Sequence, residues 1–250
     1  MTLSWTMVLD FTPLFAFMTG SWNFSYQSLI KTRECDIAIL TDKLAKKTVQ
    51  LDSCSGAETD KFKKFKLTPF EASLVKAPRY HDEEWGKKVT DDHKMFEFLV
   101  LESSQAGLSW ITILKRRDAY RNAFAVYNAE KVACMTEQDV ERLMQDSGII
   151  RNRKKIEATI GNARHFLEMQ KEFGSFCNYL RTFLPEGKPV VNQWKTLNKI
   201  PASTPLSDAI SKNMKKRGFK FFGTTICYAH LQAVGYVNDH LNECPYKYRE

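Results

Sequence analysis

SDAISKNMKKRGFKFFGTTICYAHLQAVG, residues 207–235, reads as two helices folded about a glycine hairpin. Ser207 offers a side-chain oxygen to the free N–H groups of a first turn, Ile210 and Met214 recur at helical spacing, and Gly218 ends the pattern. Thr224 opens a second helix that runs to Gly235, where glycine again accommodates the exit of the chain. The turn between them, GFKFFG (Gly218–Gly223), leaves the first N–H groups of the second helix without partners inside that helix.

The preceding stretch is built in the same way. Thr90 is placed to cap a helix whose first turn carries Asp91 and Asp92 and whose Met95, Phe96, Phe98 and Leu99 face a core; Gly107 breaks it. Ser109 starts a helix through Ile113, Arg117, Tyr120 and Phe124, and Thr136 with Asp139 forms a capping-box pattern for a helix running to Gly148. Ile156, Ile160, Ala163 and Leu167 fall on one helical face, and a helix near Ser175–Leu184 leads into a Pro-rich loop at 185–205. No convincing alternating strand and no internal repeat interrupts this series, so the predicted fold class is all-α. The character of the chain changes between Leu67 and Pro78: residues 1–50 hold no sustained period and 51–66 read as a polar linker ending in a basic run. The organisation predicted is an N-terminal extension (1–77), a helical domain (78–244) and a tail (245–250).

A chain of 250 residues holds one good-sized core, or one core plus an extension. Its formal charge of +8 favours an anionic partner, nucleic acid before a membrane surface. Six cysteines lie far apart with no CxxC pair, which fits a reducing compartment. The apolar patches at the N-terminus are interrupted by Asp10 and Pro13 and follow no basic residue, which argues against a secretory signal. No run approaches the roughly 20 apolar residues of a membrane span. The expectation is an intracellular protein without a membrane partner, its organelle undetermined.

Three basic clusters punctuate the helices: Lys115, Arg116 and Arg117 with Arg121; Arg151 with Arg153, Lys154 and Lys155; and Lys215, Lys216 and Arg217 with Lys220. Charge runs are usually solvated helix faces. Two of these flank glycine turns, however, and free N–H groups beside Lys and Arg make a phosphate site. The better candidate is the 218–223 hairpin, with Gly218 and Gly223 allowing close approach and Lys220 between them. Glu102 ends an apolar helix, where its charge opposes the helix dipole; composition alone favours an exposed glutamate with a partner elsewhere, and the functional reading is a carboxylate at a pocket rim beside Trp110. Tyr80, Trp85 and Trp110 sit around turns and helix starts, where large aromatics usually pack a core but are also suited to sandwiching a base. His240 and Cys244 are four apart, which on a helix puts both on one face as zinc ligands, with His81 a third if the fold brings it near; alone the spacing is weak.

Taken together, YHDEEWG (80–86), LESSQAGLSWITILKRRDAYR (101–121), DVERLMQDSGIIRNRKKI (139–156), NAR (162–164), KKRGFKFFGTTICYAHLQAVGYVNDH (215–240) and Cys244 resemble the DNA-3-methyladenine glycosylase I family, of the helix-hairpin-helix glycosylase superfamily. The resemblance covers roughly 78–244, in order and without large gaps. It implies an all-α enzyme of base-excision repair that acts as a monomer on double-stranded DNA, flips an alkylated base out of the duplex and hydrolyses the N-glycosidic bond of 3-methyladenine. It further implies Glu102 as the carboxylate that recognises the base, Tyr80 and Trp110 as stacking rings, Gly218, Lys220 and Gly223 as the DNA-backbone contact, and His81, His240 and Cys244 as three ligands of a structural zinc. Superfamily relatives often use an aspartate to stabilise the sugar cation; Asp239 falls near that place, but the resemblance does not imply that role for it.

The pattern fails at the N-terminal edge. Thr68 stands thirteen residues before His81, where the family's fourth zinc ligand is a cysteine; Phe70 stands for a tryptophan and Ala77 for a pocket tyrosine. Nothing in the surroundings of Cys35 or Cys54 argues that either replaces the missing ligand. Two functions follow as expectations: an active glycosylase, or a glycosylase-like DNA-binding protein that has lost turnover with this edge.

Overall fold

The computed structural model describes residues 79–248, and the extension 1–77 with Thr68, Phe70, Ala77, Cys35 and Cys54 lies outside them. Residues 79–83 are helical and lead through a turn to α1, Asp92–Gln105. Asp91, not Thr90, caps α1: its carboxylate accepts from the backbone N–H groups of His93 and Lys94, a stronger acceptor one residue closer to them. From Met95 to Gln105 every side chain of α1 is buried, as expected of a central helix enclosed by others.

The helix expected from Ser109 to Phe124 is two. Ser109 precedes α2, Trp110–Leu114, and the chain bends at Arg116 before α3, Arg117–Ala123. There follow α4 (Ala129–Ala133), α5 (Glu137–Gln145), α6 (Arg153–Phe173) and α7 (Phe176–Arg181). The Thr136–Asp139 capping box forms as the sequence predicts, though α5 ends at Gln145 rather than running to Gly148. Along α6, Ile156, Ile160 and Ala163 are buried, but Leu167 is half-exposed and Phe166 and Met169 take the core positions beyond it.

The Pro-rich loop holds a short strand that the sequence reading missed. β1, Val190–Val191, pairs in parallel with β2, Val237–Asn238, a ladder too short to show alternation. Between them run α8, Pro205–Lys216, and α9, Thr224–Ala233. Thr204 caps α8; Ser207 is the third residue of that helix and completes a reciprocal capping box rather than being the cap itself. Gly218 (φ +98°) and Gly235 (φ +74°) end the two helices in the left-handed region. A Cβ on Gly235 would lie 2.6 Å from the backbone of Lys87 and Lys88, so this glycine also allows the N-terminal turn to close against the end of α9. α1 packs against α6, α7 and α9, which places its C-terminal turn among the elements that build the site. No helix among the described residues is long and apolar enough to cross a membrane.

Candidate active site

Glu102 sits in the last turn of α1 with 3% of its surface exposed. Its Oε2 has no hydrogen-bond partner among the described residues, and burial pushes its pKa up to about 8. The exposed glutamate favoured by composition is therefore replaced by a carboxyl held in the interior. Tyr80 and Trp110 are likewise buried, their ring centroids 5.4 Å apart at 47°, and neither the Tyr80 hydroxyl nor the Trp110 Nε1 has a hydrogen-bond partner among the described residues. Burial raises the Tyr80 pKa well above its ordinary value, and the nearby charge of Glu102 adds to the rise. Buried polar atoms without partners are rare in folded proteins, because each forfeits its hydration.

The Tyr80 segment is held by a network that the sequence reading missed. Arg117, counted there in a basic cluster, turns inward at the bend between α2 and α3. Its guanidinium grips both oxygens of Glu84 at 2.8 Å and bonds Glu97 at 2.7 Å, and Lys94 bonds the same two carboxylates. Burial pushes the Glu84 and Glu97 pKa values up, but the bonds and charges of Arg117 and Lys94 outweigh it and hold both below the ordinary value. The other clusters also thin out on folding. Arg153 pairs with Glu137, Glu141 and Glu157, and Arg217 with Glu172.

Lys220 keeps an exposed side chain. Its backbone is fixed from both sides by the buried Asn162, whose Oδ1 accepts from the Lys220 N–H and whose Nδ2 donates to the Lys220 carbonyl, each at 2.9 Å. Gly218 is required by the protein itself, since a Cβ there would meet His165 Nε2 at 2.4 Å. Gly223, by contrast, faces open space at the start of α9.

His81, His240 and Cys244 come together although 163 residues separate the first from the last, with Cys244 Sγ 3.5 Å from His240 Nδ1 and 3.9 Å from His81 Nε2. His240 and Cys244 do not share a helix, as their spacing suggested. They lie in an irregular turn after β2, closed by the Cys244 N–H to the Leu241 carbonyl. Two imidazoles and a thiol suit zinc, and donors this far apart fit the edges of a tetrahedron with bonds of about 2.0–2.3 Å. The Asp82 carboxylate lies 2.8 Å from His81 Nδ1, which leaves Nε2 toward the sulfur, the usual outer-shell arrangement of a metal-binding histidine. Lys247, in the segment set aside as a tail, is buried beside this turn, its ammonium on the carbonyls of Asn192 and His240 and the amide oxygen of Asn242. Asp239 is fully buried and accepts from Asn192, Trp194, Gln232 and Tyr228.

The profile of the methyladenine glycosylase family matches residues 73–248. The chain belongs to that family. It is 55% identical over 165 residues to the DNA-3-methyladenine glycosylase 1 of Escherichia coli (strain K12), covering 66% of this chain and 88% of that protein. It is 49% identical over 168 residues to the DNA-3-methyladenine glycosylase of Haemophilus influenzae, covering 67% and 90%. Among solved structures, a variant of 3-methyladenine DNA glycosylase I in complex with 3-methyladenine superposes with a TM-score of 0.67 at 38% identity, covering 70% of this chain and 93% of the other. All-α architecture with a helix-hairpin-helix unit is thus both the observed fold and that of a methyladenine glycosylase.

Proposed function

We propose that the protein is a DNA glycosylase that hydrolyses the N-glycosidic bond of 3-methyladenine in alkylated double-stranded DNA, acting as a monomer. Beyond family membership, the observation that carries this reading is the group of three buried polar atoms on Tyr80, Glu102 and Trp110 that have no hydrogen-bond partner among the described residues. Methylation at N3 makes the adenine cationic, so its bond to the sugar is already weak. The C1′–N9 bond breaks, its electron pair leaves with the base, which departs neutral, and water adds to C1′ and gives a proton to solvent. Such a reaction asks the protein for extraction and orientation more than for acid catalysis. Aromatic faces attract a cationic base. The same positive charge offsets the burial of Glu102, so binding draws its raised pKa down and the carboxylate ionises against the base. Asp239, with four donors already on it, is engaged in holding the fold and takes no part in this chemistry.

The 218–223 hairpin supports duplex binding through Lys220 and the open N-terminus of α9 at Gly223. His81, His240 and Cys244 would hold a structural zinc, which supplies a cross-link between the Tyr80 segment and the turn after β2 rather than chemistry at the sugar. Purified protein should contain zinc, and chelation should lower its thermal midpoint more than that of Cys244→Ser; equal response of the two would remove the metal from the proposal.

Release of 3-methyladenine from methylated duplex DNA tests the central reading. Wild type should release base, and Glu102→Gln should lower the rate by at least about 100-fold, the scale for losing a buried charge contact, with duplex binding retained. Tight duplex binding by wild type without any release would identify the glycosylase-like DNA-binding protein instead.

A further inference from the structure

The C-terminus of α1 carries no basic residue in its last turn, although Glu102 lies there and the helix dipole is negative. Its last turn is nevertheless closed by several hydrogen bonds. The Ser103 carbonyl accepts from the Ala106 N–H and the Gln105 carbonyl from the Leu108 N–H, while the Gln105 side chain closes the turn by donating to the Leu108 carbonyl at 2.6 Å. Two further carbonyls are met from another helix. Lys155, in the first turn of α6, sets its ammonium on the Ser104 carbonyl at 2.9 Å and the Ala106 carbonyl at 2.5 Å. The Phe221 ring, on the hairpin, lies 6.0 Å from that ammonium, within cation–π range. Phe221 is itself held at φ +55°, a conformation that costs a non-glycine residue free energy. Lys155 is half-buried, and burial holds its pKa below the ordinary lysine value.

The span that Lys155 fixes, Ser104 to Ala106, is the link between Glu102 and Trp110. We propose that Lys155 is a positioning residue for base release: it holds the end of α1 and the following turn so that Glu102 and Trp110 present to the same base. The inference rests on the reading of Glu102 and Trp110 as site residues. It also sets Lys155 apart from the rest of the Arg151–Lys155 cluster, because an ammonium engaged by two carbonyls beneath an aromatic ring has little left to offer DNA.

Lys155→Met, Lys155→Gln and Lys155→Arg separate this role from others. Single-turnover base release at saturating enzyme, per folded molecule, should fall at least tenfold in Lys155→Met and less in Lys155→Gln. It should return to within about threefold of wild type in Lys155→Arg, whose guanidinium also spans two carbonyls. The salt dependence of duplex affinity should not change, whereas loss of a phosphate contact makes the slope shallower by about one. A shallower slope, or release within twofold of wild type in both Lys155→Met and Lys155→Gln, would overturn the proposal. A loss in Lys155→Met that Lys155→Arg does not recover would do the same. Glu102→Gln run alongside keeps the two readings apart: undiminished release there removes the site assignment itself, while a large loss there with no effect at Lys155 removes only the positioning role.

Discussion

Glu102 and Asp239 are both carboxyls with at most 3% of their surface exposed, and their surroundings are opposite. Asp239, just after β2, collects four side-chain donors from the loop at 192–194 and from α9, and it ties the Pro-rich loop to the hairpin unit. Glu102 has an oxygen with no donor at all among the described residues, next to two aromatic side chains in the same condition. A buried carboxyl that is fully hydrogen-bonded stays charged as part of the scaffold, whereas one left bare is held toward its neutral form by burial. The contrast is one of surroundings that the sequence does not display, since both residues read there simply as acids near the end of a segment.

The comparison can be broken most directly by exchanging each acid for its amide. Glu102→Gln should cost base release at least about 100-fold and leave folding intact, whereas Asp239→Asn should reverse that outcome. Its amide nitrogen would face donors, removing about 3 kcal/mol of stability measured by denaturant unfolding. Its release rate per folded molecule should stay within a few-fold of wild type. A large activity loss in folded Asp239→Asn would make that carboxylate catalytic after all.

A second test uses pH. The Glu102 pKa is raised from about 4.3 in the unfolded chain to about 8 in the fold. Its contribution is therefore fully present below about pH 4.3 and lost as pH rises through about 8, at about 1.4 kcal/mol per pH unit. The fully buried His230, whose ring nitrogens have no partners among the described residues, has its pKa lowered to about 3 by burial and acts in the opposite sense. Its contribution is present above its unfolded value of about 6.5 and lost as pH falls toward 3. Between pH 6.5 and 8 only the first of these two effects operates. Over that interval unliganded wild type should lose stability with rising pH relative to Glu102→Gln, and parallel stability curves would mean that Glu102 is not the bare group described here.

The smallest effect is expected at Lys220, where the hairpin meets solvent. Lys220→Ala should weaken binding to damaged and undamaged duplexes alike by a few-fold and make the salt slope shallower by about one. Coincident slopes would move the backbone contact elsewhere.

What the sequence disclosed follows the range of the interactions involved. The Thr136–Asp139 box and the glycine stops at 218 and 235 are local devices and could be read directly. Caps one to three residues away from the true ones were chosen at Thr90 and Ser207, because several adjacent residues had the right chemistry and only the backbone path selects among them. Ala125, Val126 and Tyr127 all adopt positive φ without a glycine to announce it; the turn is tied instead to His93, whose Nε2 lies 2.7 Å from the Val126 carbonyl. At the site, the resemblance placed Glu102, Tyr80 and Trp110, but not the burial of Glu102 or the inward turn of Arg117, which depend on partners 20 and 33 residues away. The meeting of His240 with Cys244 was expected from a shared helix and is made instead by the irregular turn after β2, to which the fold also brings His81.

The meeting of His81 with Cys244 also sets an order of assembly. A contact across 163 residues closes a long loop, and its entropic cost must be met before the contact gives anything back. The helices between can form from local pairings, and the segment carrying Tyr80 can dock early on Trp110 and Arg117, while its contact with the turn at 240–244 waits until that turn has left the ribosome. Since synthesis proceeds at about 5–20 residues per second, the contact of His81 with Cys244 forms several seconds or more after the Tyr80 segment is made, and a nascent chain cut short before Cys244 would keep the Arg117 grip on Glu84 but lack this long-range tie.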